Sequence, residues 1–107
     1  MNTNSIKFYS VTEAYGDFSN FALYPIQLKG KTWATSEHYF QAQKFKGTPH
    51  ENKIRKASNP MQAALLGRTR KVKLRPDWKK VKDAVMLDAV RAKFLQHNDL
   101  KELLAVL

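Results

Sequence analysis

Three polar side chains in one short segment of the 107-residue chain have the types and the spacing needed for acid–base chemistry. Glu37, Gln41 and Lys44 occupy positions i, i+4 and i+7, so a helix would place them on one face. The adjacent Tyr39 and Phe40 favour a face that is partly covered by aromatic rings. The simpler alternative is an exposed stripe, whose ion pair would contribute roughly a few tenths of a kcal/mol.

A covered glutamate and lysine on one helix face are suited to cleaving a bond between nitrogen and an anomeric carbon. Burial and proximity shift the pKa values of such groups, and a desolvated lysine becomes a nucleophile. The Glu37 carboxylate would stabilise an oxocarbenium-like transition state. Lys44 would transfer protons or attack the masked aldehyde of the sugar. The spacing therefore indicates Glu37 and Lys44 as candidate catalytic residues, with Gln41 beside them.

A polar loop supplies further candidates for binding a substrate. Phe18 and Phe21 bracket Ser19 and Asn20, and anchored aromatic side chains would hold the hydroxyl and amide groups in fixed positions. The alternative is that Ser19 and Asn20 only cap a turn, as residues of these types commonly do.

Four more residues could contact a ligand or serve the core. Arg68 follows Gly67, where we expect a helix to end, and it is free to reach a phosphate. Trp33 and Trp78 could stack on a base, although a tryptophan on a helical stripe is more often a core residue. Asp88 is interpreted as a paired structural carboxylate, with a functional role as the alternative.

The charge of the chain is strongly positive and unevenly distributed. The formal net charge is +10, and between Lys53 and Lys82 there are eleven basic residues against one acidic residue, Asp77. Such a field attracts anions, so nucleic acid, a nucleotide or a sugar phosphate would each be a suitable partner. A basic face that only improves solubility is the alternative.

Composition argues against metals, disulfides and membranes. The chain has no cysteine, and its three histidines (His38, His50 and His97) are scattered without ligand spacing, so we expect no metal and no cofactor. No apolar run approaches the roughly 20 residues that cross a bilayer, and the first residues lack the apolar core of a signal peptide. A cytoplasmic protein without a membrane partner is expected. The oligomeric state is left open.

Periodicity and turn residues predict an α+β fold that is mostly helical. A strand is expected at Ile6–Ser10, and a hairpin at Pro25–Leu28 and Lys31–Ala34 around Lys29-Gly30. The expected helices run from Thr35 or Ser36 to about Phe45, over Glu51–Lys56, from Asn59-Pro60 to Gly67, from Pro76-Asp77 to Gln96 or His97, and from Asn98 or Asp99 onward. The buried stripe of the longest helix is expected at Trp78, Val81, Val85, Ala89 and Ala92.

Several sequence blocks together resemble one known family. They are FYS, YGDFSNF, SEHYFQAQKF, NPMQAALLGR and RPDWKKVKDAVM, and the match extends from Ile6 to the last residue. These blocks resemble those of the NADAR superfamily of N-glycosidases, and SEHYFQAQKF is the most specific of them. The resemblance implies a single compact, mostly helical α+β domain with a small N-terminal antiparallel sheet.

The resemblance also implies a function. Members of the family hydrolyse N-glycosidic bonds of phosphorylated or nucleotide-linked ribose. Some act on ribosylaminopyrimidine phosphates of riboflavin biosynthesis, and others remove ADP-ribose from modified bases. By position, the resemblance assigns Glu37 and Lys44 to the catalytic helix. It assigns Ser19, Asn20 and Phe21 to the pocket loop, and Arg68 and Trp78 to the sugar-phosphate site.

The sequence departs from the family pattern at its C-terminal end. The family continues with a D-x-x-W-G segment, further glycines, N-x-L-G and a final helix, none of which is present here. The last expected helix carries Leu100, Leu103, Leu104 and Leu107 and ends within its own apolar stripe. We therefore expect one domain, residues 1–107, that is shortened at the C-terminus and weakened in activity or completed by another chain.

Three functions follow from these observations. The first is an N-glycosidase that releases a base and ribose 5-phosphate from a phosphorylated ribosylamino base, a small-molecule substrate. The second is a module that binds ADP-ribose or nucleic acid through the basic face, or that removes ADP-ribose. The third is a folded but inactive relative of the enzyme. A central glutamate on the candidate helix favours the first, because a groove for nucleic acid would gain nothing from it.

Overall fold

A computed structural model of the protein describes residues 20–100 and 102. The strand expected at Ile6–Ser10, and Ser19 of the polar loop, lie outside these residues. Among the helices that the structure describes, none combines the length and the apolarity that a membrane span requires.

Two short antiparallel strands form the expected hairpin. Strand β1 is Ile26–Leu28 and strand β2 is Lys31–Trp33. Lys29 and Gly30 between them both have positive φ angles, 55° and 74°. A two-residue turn with two left-handed residues matches the twist of the strands, and glycine adopts that conformation without steric cost. The predicted hairpin is therefore confirmed.

Four helices that the structure describes in full follow the hairpin, and all four were predicted. They are α1 (Ser36–Gln43), α2 (Pro49–Arg55), α3 (Pro60–Gly67) and α4 (Trp78–Gln96). Residues 98–100 and 102 are also helical. Helix α1 ends two residues before the predicted Phe45, and a turn with Gly47 at a φ of 84° follows it. Pro49 then begins α2 at a position where its missing N–H costs no helical hydrogen bond.

Side-chain caps fix where two of these helices begin. The Thr35 hydroxyl accepts a hydrogen bond from the backbone N–H of His38 at 3.2 Å, which starts α1. The Asn59 side chain accepts one from the backbone N–H of Gln62 at 2.8 Å, which starts α3. Each cap satisfies a donor that the first turn of a helix leaves without an intrahelical partner.

Helix α1 lies at the centre of the molecule and packs against α2, α3, α4 and strand β2. Its side chains Tyr39 and Ala42 are buried together with Trp33 of β2 and Ile54 of α2. The predicted stripe of α4 is confirmed, with four of its members buried and Val81 partly buried against the core. A helix that is covered on so many sides buries polar side chains as well as apolar ones.

His38 links the cap of α1 to the rest of the core. Its ring is fully buried, its Nδ1 lies 2.8 Å from the Thr35 hydroxyl, and its Nε2 lies 3.1 Å from the carbonyl oxygen of Ala57. A carbonyl can only accept, so Nε2 donates, and in the neutral ring Nδ1 then accepts from the hydroxyl. Thr35 therefore serves as a helix cap and as the partner of a buried ring.

We expect Thr35→Ala to lower the free energy of unfolding by more than Asn59→Ala. Loss of a cap costs about 0.5–2 kcal/mol in either helix. Thr35→Ala also leaves the buried Nδ1 of His38 without its partner, at a further cost of about 1–3 kcal/mol. Urea denaturation of both variants measures the difference. Equal losses would show that the contact between Thr35 and the ring contributes nothing.

Candidate active site

Helix α1 carries the predicted row of polar side chains on a face that is largely withdrawn from solvent. The Gln41 side chain donates from Nε2 to Oε2 of Glu37 at 2.6 Å. Glu37 and Gln41 are each only 8% exposed. The alternative of an exposed stripe is therefore wrong for these two residues. A hydrogen bond this short to a buried carboxylate fixes the orientation of both side chains.

Lys44 lies one turn further along, where α1 ends. Its Nζ is 3.4 Å from the carbonyl oxygen of Gly67, at the end of α3, and 5.9 Å from the centre of the Phe40 ring. Burial lowers the pKa of Lys44; the negative charge of Glu37 raises it in part, and the positive charge of Arg68 lowers it again. A lysine whose pKa is lowered releases its proton more readily than an exposed lysine, so it is better suited to act as a nucleophile or proton carrier.

The basic connector between α3 and α4, residues 68–77, is attached directly to the end of α1. The backbone N–H of Arg75 donates to the carbonyl oxygen of Lys44 at 2.9 Å. The Arg75 side chain binds the carboxylate of Asp77, with Nε 2.6 Å from Oδ1, and this bond lowers the pKa of Asp77. The one acidic residue of the connector is thus paired with Arg75. The other cations of the connector, Arg68, Arg70, Lys71 and Lys73, are exposed.

The positive charge of Arg68 lies close enough to Lys44 to lower the pKa of that lysine. Arg68 is the C-cap residue of α3 and follows Gly67, whose carbonyl faces Lys44. The end of α3 therefore places an exposed guanidinium beside the candidate catalytic lysine. The role of Arg68 in binding phosphate stays a prediction.

The polar loop reaches the start of α1 through its backbone. The backbone N–H of Glu37 donates to the carbonyl oxygen of Asn20 at 3.0 Å. The Asn20 side chain turns towards α4, with Nδ2 3.0 Å from the sulfur of Met86. Phe21 is 39% exposed. Asn20 thus lies beside Glu37, while the binding role predicted for Ser19, Asn20 and Phe21 stays a prediction.

The two tryptophans lie in the core. Trp33 is fully buried and donates from Nε1 to the carbonyl oxygen of Leu28 at 3.0 Å. Trp78 is 9% exposed and contacts Phe40 edge-on, with ring centres 5.2 Å apart. Phe40 therefore packs between Trp78 and the amine of Lys44. This placement favours the core alternative for Trp78, whose influence on a substrate would pass through Phe40.

Asp88 lies on α4 near the buried Tyr39. Burial raises the pKa of the Tyr39 hydroxyl, and the negative charge of Asp88 raises it further. Asp88 is partly buried. Asp88 therefore lies near a core tyrosine, which favours the interpretation of Asp88 as a structural carboxylate.

The histidines are held by backbone carbonyls. In addition to the contact of His38 with Ala57, the Nε2 of His50 lies 2.8 Å from the carbonyl oxygen of Leu66 and that of His97 lies 2.5 Å from the carbonyl oxygen of Pro25. Within residues 20–100 and 102, no group of three or more histidine, aspartate and glutamate side chains has the arrangement of a metal site.

Sequence reasoning missed two residues that shape the site. Gly67 was predicted only as a helix stop, but it is buried against Gln41 and its carbonyl faces Lys44. Arg75 was counted only as one basic residue among many, but its backbone joins the connector to α1. The sequence carried no separate signal for this contact, because a glycine at the end of a helix is an ordinary stop residue.

The fold and the buried row define a small α+β domain with a glutamate, a glutamine and a lysine aligned along its central helix. A family model for the NADAR domain matches residues 7–106, so the chain belongs to the NADAR family. The resemblance found in the sequence is confirmed.

Two relatives and one solved structure agree with this assignment. N-glycosidase YbiA of Escherichia coli (strain K12) is 55% identical over 104 residues, which is 97% of this chain and 65% of that protein. The chloroplastic riboflavin biosynthesis protein PYRR of Zea mays is 37% identical over 117 residues, which is 95% of this chain and 19% of the maize protein. The NMR structure of E. coli YbiA matches with a TM-score of 0.79 and 56% identity, over 92% of this chain and 59% of that one.

The match to the YbiA structure confirms the predicted α+β class with its small antiparallel sheet. The chain spans less than two thirds of the length of E. coli YbiA.

The lowered pKa of Lys44 predicts how stability depends on pH. The unfolded chain holds the lysine proton up to about the ordinary value of 10.5, whereas the folded protein releases it at lower pH. The cost of the buried charge is therefore fully present below the folded pKa and is relieved as pH rises towards 10.5. The quantity of interest is the difference in melting temperature, Lys44→Met minus wild type. We expect this difference to decrease as pH rises through this interval.

Lys46→Met is the matched control, because Lys46 is exposed two residues away from Lys44. Calorimetry of the three proteins between neutral and alkaline pH measures the differences. If Lys44→Met followed the same pH course as the control, burial of the Lys44 amine would not affect stability.

Proposed function

We propose that this protein is an N-glycosidase that hydrolyses the bond between a base nitrogen and the anomeric carbon of a phosphorylated ribose. The observation that supports it most is the Gln41–Glu37 hydrogen bond, which orients a buried carboxylate on the same helix face as a lysine of lowered pKa. The name of the E. coli relative, an N-glycosidase, supports the same reaction.

In this proposal Glu37 provides the negative charge. Cleavage of an N-glycosidic bond develops positive charge on the anomeric carbon and ring oxygen of the sugar. A carboxylate already held by Gln41 does not have to reorient as that charge develops, so it stabilises the transition state more than the ground state.

Lys44 handles protons or forms a covalent bond. As an ammonium group it gives a proton to the departing base nitrogen. As a neutral amine it attacks the anomeric carbon of the ring-opened substrate, and the base nitrogen takes up the lysine proton and leaves as an amine. Water then hydrolyses the lysine imine that remains, which releases ribose 5-phosphate and restores the lysine. The lowered pKa of Lys44 makes both forms accessible closer to neutral pH than in an exposed lysine.

The substrate class follows from charge and from the relatives. The exposed cations around Arg68 suit a ribose phosphate. The maize relative is named a riboflavin biosynthesis protein, which supports a ribosylaminopyrimidine phosphate as substrate, with the free base and ribose 5-phosphate as products. The reaction as written requires no metal or cofactor, because Glu37, Lys44 and water supply each step.

A second candidate is a module that binds ADP-ribose or nucleic acid, with or without removal of ADP-ribose. The observation that favours it is the exposed connector carrying Arg70, Lys71 and Lys73 next to Arg68. Binding of a polyanion through such a segment depends steeply on salt concentration. Tight, salt-sensitive nucleic-acid binding without hydrolysis of ribosylamines would favour this candidate over the first.

Glu37→Gln is expected to reduce the release of ribose 5-phosphate by about 10²–10³-fold, the range typical of removing one preorganised electrostatic group. The amide has nearly the size of the carboxylate, so the fold should persist, as circular dichroism would verify. Glu102→Gln is the matched control, because Glu102 is exposed. Undiminished turnover in Glu37→Gln and in Lys44→Ala would contradict the proposal, as would inhibition by a metal chelator.

Arg68→Ala is expected to raise KM for the phosphorylated substrate more than it lowers kcat. The guanidinium is proposed to hold the phosphate, which changes little during cleavage, so its contribution is to binding. Arg91→Ala, an exposed change of the same charge on α4, is the control. Steady-state kinetics with phosphorylated and dephosphorylated ribosylamines measure the effect. Equal KM values for the two substrates in the wild type would contradict a phosphate site at Arg68.

A further inference from the structure

Gly67 is the last residue of α3 and is buried where α3 meets α1. A Cβ atom at this position would lie 2.0 Å from Oε1 of Gln41 and 2.6 Å from its Cδ. Atoms at these distances overlap severely, so the amide of Gln41 occupies the space that any other residue at 67 would fill. The contact is specific to the side chain that orients Glu37.

Backbone conformation does not explain this glycine. Gly30 and Gly47 have positive φ angles, which favour glycine, whereas Gly67 is helical and is not among the residues of positive φ. In a helical backbone conformation glycine is less stable than alanine, because it loses more conformational freedom on folding. The close approach of Gln41 therefore accounts for a residue that helix formation alone would disfavour.

The amide of Gln41 is oriented by shape as well as by its hydrogen bond. Its Nε2 donates to Glu37 at 2.6 Å, while its Oε1 is buried against Gly67 and has no hydrogen-bond partner among the described residues. A Cβ at residue 67 would displace the amide from this slot. Displacement of even about 1 Å would lengthen the bond to Glu37 beyond a short hydrogen bond.

The same glycine also contacts the lysine. Its carbonyl oxygen, at the C-terminal end of α3, lies 3.4 Å from Nζ of Lys44. The end of a helix carries partial negative charge, which suits an ammonium group. We infer that Gly67 is a positioning residue of the site, which holds Glu37 through the amide of Gln41 and contacts Lys44 through its carbonyl. The catalytic part of this inference rests on the proposed N-glycosidase function.

A double-mutant cycle tests whether Gly67 acts through Gln41, without any need for activity. Gln41→Ala removes the two atoms nearest to the would-be Cβ and leaves its own Cβ at 2.9 Å. We therefore expect Gly67→Ala to lower the melting temperature clearly in the wild type and much less in the Gln41→Ala background. Equal losses in both backgrounds would overturn the inference, whatever the enzyme activity proves to be.

Kinetics test the consequence for the site. Gly67→Ala is expected to lower kcat for ribose 5-phosphate release by about one to two orders of magnitude, with a smaller change in KM, because misplacing a catalytic group by an ångström has effects of this size. Ile54→Ala is the control for lost stability, because Ile54 is fully buried on α2. A similar loss of kcat in Ile54→Ala, or unchanged kcat in Gly67→Ala, would overturn the inference.

A measurement on the wild-type protein applies even if Gly67→Ala does not fold. The side-chain amide hydrogens of Gln41 should exchange slowly with solvent, and their NMR signals should shift in Glu37→Gln. Fast exchange at Gln41, or signals that Glu37→Gln leaves in place, would show that the amide is not held between Gly67 and Glu37. The wild type could lack glycosidase activity and still show slow exchange at Gln41 and coupling between Gly67 and Gln41 in the double-mutant cycle. That result would refute the proposed function and leave the structural inference intact.

Discussion

The hydrogen bond from Gln41 to Glu37 is the contact on which the proposed site depends. A carboxylate that is only 8% exposed loses much of its hydration and must be compensated by hydrogen bonds and by nearby positive charge. Gln41 supplies the hydrogen bond, and Lys44 supplies charge that interacts with Glu37 electrostatically. Because α1 packs against three other helices, this polar row cannot turn away towards solvent without disturbing the core. The burial of this row thus follows from the central position of α1.

The end of α1 is where the rest of the molecule meets this row. The carbonyl of Lys44 accepts from Arg75, its amine lies near the carbonyl of Gly67, and Phe40 packs between that amine and Trp78. The end of α3 and the connector therefore both contact this one lysine. The burial that results lowers its pKa, and the basic connector attached at Arg75 brings exposed cations close to it. The connector between α3 and α4 thus contributes a backbone contact to the end of α1 as well as exposed cations.

Much of this arrangement was predictable because it follows from local sequence. The left-handed turn at Lys29-Gly30, the caps at Thr35 and Asn59 and the stripe of α4 are all signals confined to neighbouring residues, and the structure confirms them. The spacing of Glu37, Gln41 and Lys44 likewise determines that they share a helix face. Their burial was only favoured, since it depends on which other elements cover that face.

The parts that were missed depend on contacts between distant segments. Nothing near Gly67 in the sequence shows that the amide of Gln41, 26 positions earlier, occupies the place of its side chain. The backbone bond from Arg75 to Lys44 is similarly invisible, because a backbone N–H carries no sequence signal. The contact of the Asn20 amide with the sulfur of Met86 on α4 is likewise not visible in the sequence. Such pairings follow from tertiary packing and not from residue type.

The central claim is that burial lowers the proton affinity of Lys44 while Glu37 partly restores it. Titration of the individual lysine side chains by NMR, in the wild type and in Glu37→Gln, measures this directly. The account predicts that Lys44 loses its proton at lower pH than the exposed lysines do, and at a still lower pH in Glu37→Gln, because the opposing effect of the carboxylate is then removed. If Lys44 titrated together with the exposed lysines in both proteins, the account would be contradicted.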